Sequence, residues 1–171
     1  PGADLYEPSA SPDGRRLVCG LSTWGASLVD LSQGRAPRAV KPILGRGGDD
    51  YIFTARSWSA DGRSLTGQFA LRKAMRWVGI GLYSFDPGAF ELLLDRGNRP
   101  GLAGEGRTLV YLDGGAVHAL DRGTGRTRRV AKPPGEEQFV YLAPARDGRR
   151  LYLVHSQDEG DVWISVLRPR P

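Results

Sequence analysis

The chain has 171 residues, 40% hydrophobic and 25% charged, which suits a single folded domain and is too apolar for a disordered chain. Its apolar runs, such as Leu92 to Leu94, fall far short of the roughly 18 residues of a membrane helix, and its one cysteine, Cys19, excludes an internal disulfide framework or a multi-cysteine zinc site. The 24 basic residues are almost all arginine, since the only lysines are Lys41, Lys73 and Lys132, and the net charge of +5 raises nucleic acid or an acidic surface as a partner.

In chain order, a first extended segment starts at Leu5 and leads into Ser-Pro-Asp-Gly-Arg-Arg-Leu at 11–17. Asp13 and Gly14 predict a tight turn, because the acid bonds its own backbone and glycine accepts the positive φ that a Cβ penalises. Strands are predicted at Leu17–Leu21 and Ser27–Leu31, with Cys19 a buried small apolar residue. A turn at Ser32-Gln33-Gly34 and a short run at 38–40 close a first unit, 5–40. The second unit, 51–94, repeats this order: a run from Tyr51 to Trp58, then Ser-Ala-Asp-Gly-Arg-Ser-Leu at 59–65 with its turn at Asp61-Gly62. Strands at 65–71, 81–85 and 90–94 follow, the last two joined by Asp86-Pro87-Gly88. Here alone a segment, Arg-Lys-Ala-Met-Arg-Trp at 72–77, lengthens the middle hairpin. The third unit, 99–130, has Ala-Gly-Glu-Gly-Arg-Thr-Leu at 103–109, with Glu105 before Gly106 where aspartate stands elsewhere and Gly104 where the first repeat has proline. Strands follow at 109–112, 116–120 and 127–130. The fourth, 139–168, has Ala-Arg-Asp-Gly-Arg-Arg-Leu at 145–151, its turn at Asp147-Gly148, and runs at 151–155 and 162–167.

The acids of the shared small-x-acid-Gly-Arg-x-Leu pattern stand at 13, 61, 105 and 147, intervals of 48, 44 and 42 residues. No window of a dozen residues keeps helical spacing without glycine or proline interrupting it. Four short strands at this period predict an all-β fold, a β-propeller of four repeats of a four-stranded antiparallel blade. A sandwich of irregular hairpins has no reason to repeat one turn sequence four times.

Ser-Pro-Asp-Gly-Arg-Arg-Leu followed by a strand, then Val29-Asp30-Leu31 or Tyr83-Ser84-Phe85-Asp86, resembles the TolB-type, WD-like propeller repeats of bacteria across essentially the whole chain. Such repeats occur in TolB-like periplasmic proteins, in the propellers of prolyl-oligopeptidase-type enzymes and behind bacterial serine/threonine kinase domains. The ending from Asp161 to Arg168 is similar to the closing strand of the kinase-linked kind. The resemblance implies rings of six to eight blades, so the four repeats are expected to be part of a larger ring with further blades N-terminal to them. The fourth repeat is then expected to lack its outer strand, an edge that natural proteins avoid leaving open.

Candidate chemistry is sparse. There is no G-x-S-x-G elbow, and His118 and His155 sit in strands 37 residues apart without ligand spacing. Gly79-Ile80-Gly81 is a fragment of a dinucleotide fingerprint that ends at Ser84 with no helix after it, and it reads as strand flexibility. Asp49-Asp50 and the acids at 158, 159 and 161 lack the spacing of a calcium loop. No catalytic residue, metal or cofactor is therefore expected. Arg15, Arg63, Arg107 and Arg149 recur because the repeat recurs, with Arg16 and Arg150 beside two of them and Arg122, Arg126 and Arg128 near a later turn. Without interleaved aromatic platforms they read as a solvated rim rather than a nucleic-acid site. The loops of the opposite face are longer, and Arg72, Met75, Arg76 and Trp77, with Asp49 and Asp50, are the candidate ligand or partner residues. The expected function is a non-catalytic binding or scaffold module for a protein or peptide partner, as the sensory or interaction part of a bacterial kinase or TolB-like protein. The alternative is a gating propeller of a prolyl-oligopeptidase-type peptidase.

Overall fold

The computed structural model describes residues 5–21, 25–32, 38–43, 51–74, 76–135, 137–145, 149–156 and 162–166. Asp49, Asp50, Met75, Asp147 and Gly148 lie outside the described residues. Every described element is a strand or a turn, and the strands form antiparallel sheets in which chain neighbours are sheet neighbours. The fold is all-β. Short runs rich in β-branched and aromatic residues, cut by glycine and proline, leave the backbone no other regular partner than the next run. The chain divides into two compact units, Pro1–Arg96 and Gly97–Pro171.

In the first unit one sheet is formed by β1 (Leu5–Ala10), β2 (Arg16–Leu21), β3 (Ala26–Asp30) and β4 (Arg38–Ile43), in that order. The second sheet has β5 (Tyr51–Trp58), β6 (Ser64–Leu71), β7 (Arg76–Ser84) and β8 (Ala89–Leu94). Val18, Ala26 and the partly buried Leu28 of one sheet pack with Phe53, Ala55, Trp58, Leu65 and Phe69 of the other. Phe53 and Phe69 are cross-strand partners, with ring centroids 5.3 Å apart, and Phe90 closes on both at 5.4 and 5.8 Å. Each such ring contributes about 1.5–3 kcal/mol through burial and about 0.5–1.5 kcal/mol more through aromatic pairing.

That cluster corrects the reading of the glycines in β7. Gly81 is the cross-strand partner of Gly67 in β6. A Cβ on Gly81 would stand inside the ring of Phe69, and one on Gly67 would collide with the ring of Phe53 and the carbonyl of Thr54. The glycines therefore form a flat seat for two phenyl rings, a close approach rather than flexibility. Strand β7 is also longer than the sequence suggested: it begins at Arg76, five residues before Gly81.

In the second unit one sheet is formed by β9 (Asn98–Ala103), β10 (Thr108–Asp113), β11 (Ala116–Asp121) and β12 (Thr127–Ala131), and the other by β13 (Gln138–Pro144), β14 (Leu151–Ser156) and β15 (Val162–Val166). Val110, Leu112, Val117 and Ala119 pack with Phe139, Leu142 and Leu153. A backbone bond from Phe139 N–H to Gly115 O, 2.9 Å, ties the two sheets. One device appears in both units. Glu7 and Arg99, each just before a proline, take φ of 51° and 50° within the bulges of β1 and β9. Proline lacks the donor a ladder needs, so a bulge is where a strand tolerates it. Each bulge residue meets the first strand of the next sheet: Glu7 pairs with Arg56, and the Arg99 guanidinium lies 5.1 Å over the ring of Tyr141.

Candidate functional site

The repeated turns are built by a serine–aspartate relay. Ser11 Oγ accepts from the N–H of Arg16 at 2.9 Å and donates to Asp13 Oδ1 at 2.6 Å, and that oxygen also accepts from the N–H of Arg15 at 3.0 Å. Ser59, Asp61, Arg63 and Ser64 repeat the pattern at 2.9, 2.6 and 2.9 Å. The serine hydroxyls, then the backbone N–H groups, hold the carboxyls of Asp13 and Asp61 below the usual aspartate range. Gly14 and Gly62 complete these turns at φ +70° and +69°. The third repeat, with Ala103 in place of the serine, closes differently. Gly104 and Glu105 both have φ of 56°, Gly106 has 83°, and backbone bonds run from Gly106 N–H to Ala103 O and from Arg107 N–H to Gly104 O. Two successive positive φ values are the mark of a primed hairpin turn, which needs no side-chain acceptor.

The arginine after each turn glycine works through its main chain. The carbonyls of Arg15, Arg63 and Arg107 accept from the N–H of Leu31, Phe85 and Arg122 at 2.8, 3.0 and 3.0 Å, while their side chains are exposed. Arg149 is exposed as well. Arg16 departs from the rim expected for it. Its guanidinium donates to Gly62 O at 3.2 Å and lies 4.8 Å from the ring centre of Trp58 and 5.1 Å from that of Phe85. Trp58 is buried, stacks on Phe85 and donates its indole N–H to Ser9 O at 2.8 Å. This group fastens the two sheets of the first unit together. The only local hint of it is an aromatic residue just ahead of a turn.

Of the candidate partner residues, Arg72, Arg76 and Trp77 are described, and all are exposed, Trp77 by 43%. Arg76 and Trp77 belong to strand β7 rather than to a loop: Arg76 is the cross-strand partner of Leu71 and Trp77 of Ala70. The insertion therefore lengthens both strands, to 8 residues in β6 and 9 in β7 against 6 each in β10 and β11, and the turn at its end carries Arg72 and Lys73. Three cations and an indole thus share one exposed hairpin end, without a carboxylate in the segment from Arg72 to Trp77.

His118 stacks on Tyr111, centroids 5.6 Å apart, and His155 Nδ1 lies 2.9 Å from Glu137 Oε2. Cys19 is buried in β2, and burial pushes its thiol up. Among the described residues no three His, Cys, Asp or Glu side chains come together as a metal site. No helix among them is long and apolar enough to cross a membrane.

No protein-family model matches the sequence, and no curated protein sequence does. Solved structures match over nearly the whole chain. An oligogalacturonate lyase in complex with manganese superposes with a TM-score of 0.69 at 14% identity, covering 98% of this chain and 51% of the lyase. A TolB of Agrobacterium tumefaciens gives 0.59 at 15% identity, over 97% and 77%. The β-propeller domain of Cps50 (Swd1) from Myceliophteria thermophila gives 0.63 at 13% identity, over 97% and 58%. The chain thus spans about half the length of the lyase. At these identities the likeness is one of fold: the chain has the all-β propeller fold that these structures share.

Proposed function

We propose that this propeller module is non-catalytic and binds a protein or peptide partner through the β6–β7 hairpin, as the sensory or scaffolding part of a longer bacterial protein of the TolB-like or kinase-linked kind, with further blades N-terminal to these. The observation that carries the reading is the hairpin end itself. Arg72, Lys73, Arg76 and Trp77 are exposed together on the one hairpin that the repeat does not require to be long. Tryptophan and arginine dominate protein-binding hot spots because each offers a large, rigid surface with a polar handle. A rigid sheet behind the hairpin holds these groups in place before the partner arrives, which lowers the ordering cost of binding.

The test compares proteins captured from the source cell by the chain, by a Trp77→Ala/Arg76→Ala variant and by a variant with Arg15, Arg63 and Arg107 reversed to glutamate. The reading expects a specific partner that the hairpin variant loses and the rim variant retains. A partner lost by the rim variant and kept by the hairpin variant overturns it. The coding sequence flanking the chain adds a separate check, since a kinase domain supports the signalling role and a catalytic-serine domain points to a gating propeller.

A further inference from the structure

Strand β12 is an outer edge of its sheet, and no described strand pairs with its free side. A sheet edge presents unpaired N–H and C=O groups on which another extended chain can add. This edge carries a concentrated positive charge. From Arg122 to Lys132 the chain carries Arg122, Arg126, Arg128, Arg129 and Lys132 and no carboxylate, a local charge as large as the +5 of the whole protein. The number of cations is not set by the repeat: of the corresponding outer strands, β4 carries Arg38 and Lys41, while β8 reads Ala-Phe-Glu-Leu-Leu-Leu and has none. Register with β11 sets Arg128 opposite Ala119 and Arg129 opposite His118, so consecutive arginines leave the strand on opposite faces of the sheet. Both are exposed and have no ion-pair partner among the described residues. The acid next to the segment, Asp121, is committed to its own turn. Its Oδ1 accepts from the N–H groups of Thr124 and Gly123 at 2.9 Å each, and those bonds lower its pKa. Charge on an edge deters pairing with a strand of like charge. The same row of cations selects a strand of opposite sign.

We propose that β12 is a docking edge for an acidic, extended segment of a partner protein, which adds to the sheet as a further strand. Its backbone pairs with 127–131, an edge about 17 Å long at roughly 3.4 Å per residue. Its carboxylates meet Arg128 on one face and Arg129 on the other, where charge-assisted bonds to guanidinium are stronger than neutral ones. The hairpin of the first unit plays no part in this contact.

Fluorescence anisotropy with a labelled hexapeptide, Val-Glu-Glu-Glu-Glu-Val, whose consecutive glutamates face both sides of an extended strand, tests the proposal. The peptide is expected to bind, and Arg128→Glu with Arg129→Glu, or the milder Arg128→Gln with Arg129→Gln, to weaken it about tenfold or more, with circular dichroism confirming that each variant is folded. Methylating alternate backbone nitrogens of the peptide removes its ladder donors and is expected to cost a similar factor. A peptide that does not bind, or a methylated peptide that binds as well as its parent, overturns strand addition. A short oligothymidylate that binds more tightly and displaces the peptide overturns the acidic-protein assignment in favour of a polyanion strip.

Discussion

Gly81→Ala isolates the contact that makes the second sheet. The added Cβ would lie 2.8 Å from the backbone oxygen of Glu91 and 2.7 Å from Phe69 Cδ2, with Phe69 Cε2 closer still. The carbonyl belongs to the β7–β8 ladder and cannot retreat without breaking register, so the phenyl ring must move, and it is held by Phe53 and Phe90. Overpacking of this kind costs about 1–3 kcal/mol, offset by about 0.5–1 kcal/mol because alanine loses less chain entropy than glycine in a strand. A net loss of about 1–2 kcal/mol lowers Tm by roughly 2–8 °C for a chain of this size. Urea and thermal unfolding, followed by far-ultraviolet circular dichroism, measure it. The decisive arm is a double-mutant cycle with Phe69→Leu, which removes the atoms the Cβ would strike. In that background Gly81→Ala should cost less, with a coupling of about 1 kcal/mol. An unchanged Tm in the single variant, or the full cost in the double variant, refutes the idea that glycine is there for the ring.

Three further outcomes follow from the turns and the sheet contact. Gly62→Val, forced to positive φ with a β-branched side chain, should destabilise by about 1–3 kcal/mol, and a Tm shift of less than about a degree would show that the turn is misassigned. Because Asp13, Asp61 and Asp121 are more acidic folded than unfolded, their contribution is complete above the ordinary aspartate pKa of 3.8 and is lost as pH falls through their lowered values. Melting temperature should therefore fall below about pH 4, and the triple variant to asparagine should lose less over that window than the parent does; parallel curves would contradict the relay. Trp58→Phe keeps an aromatic surface under Arg16 but removes the donor to Ser9 O, a loss of about 0.5–1.5 kcal/mol, or more if that carbonyl is left buried without a partner, and equal stability would show that the bond contributes nothing.

The fold class was legible because its signal is local and repeated: an acid, a glycine and the alternation that follows them need only a few consecutive residues to act. Sequence did not reveal contacts between residues far apart in the chain. Arg16 reads as a rim cation beside Arg15, and only the arrival of Trp58 and Phe85 against it turns it into a fastening between sheets. Gly81 reads as a flexible position until Phe69 from the neighbouring strand is laid on it. Arg76 and Trp77 were legible as an unusual segment, yet their place on a strand depends on pairing with Leu71 and Ala70 of the neighbouring strand. The third turn shows the same limit in another way. Its sequence departs from the pattern, and a different turn, supported by Gly104 rather than by a relay, keeps β9 and β10 paired.

The carbonyls of Arg15, Arg63 and Arg107 have a consequence for how this surface can change. Every residue except proline supplies both this oxygen and the N–H that closes the turn, so the main chain asks nothing further of the side chains at these three positions. Substitutions other than proline can accumulate there in any order, since the oxygen and N–H that each repeat needs are kept. A lineage facing a partner of a new electrical character could invert the sign of this surface one residue at a time. Each intermediate would remain folded, and selection would act on encounter alone, with the scaffold underneath unaware of the change.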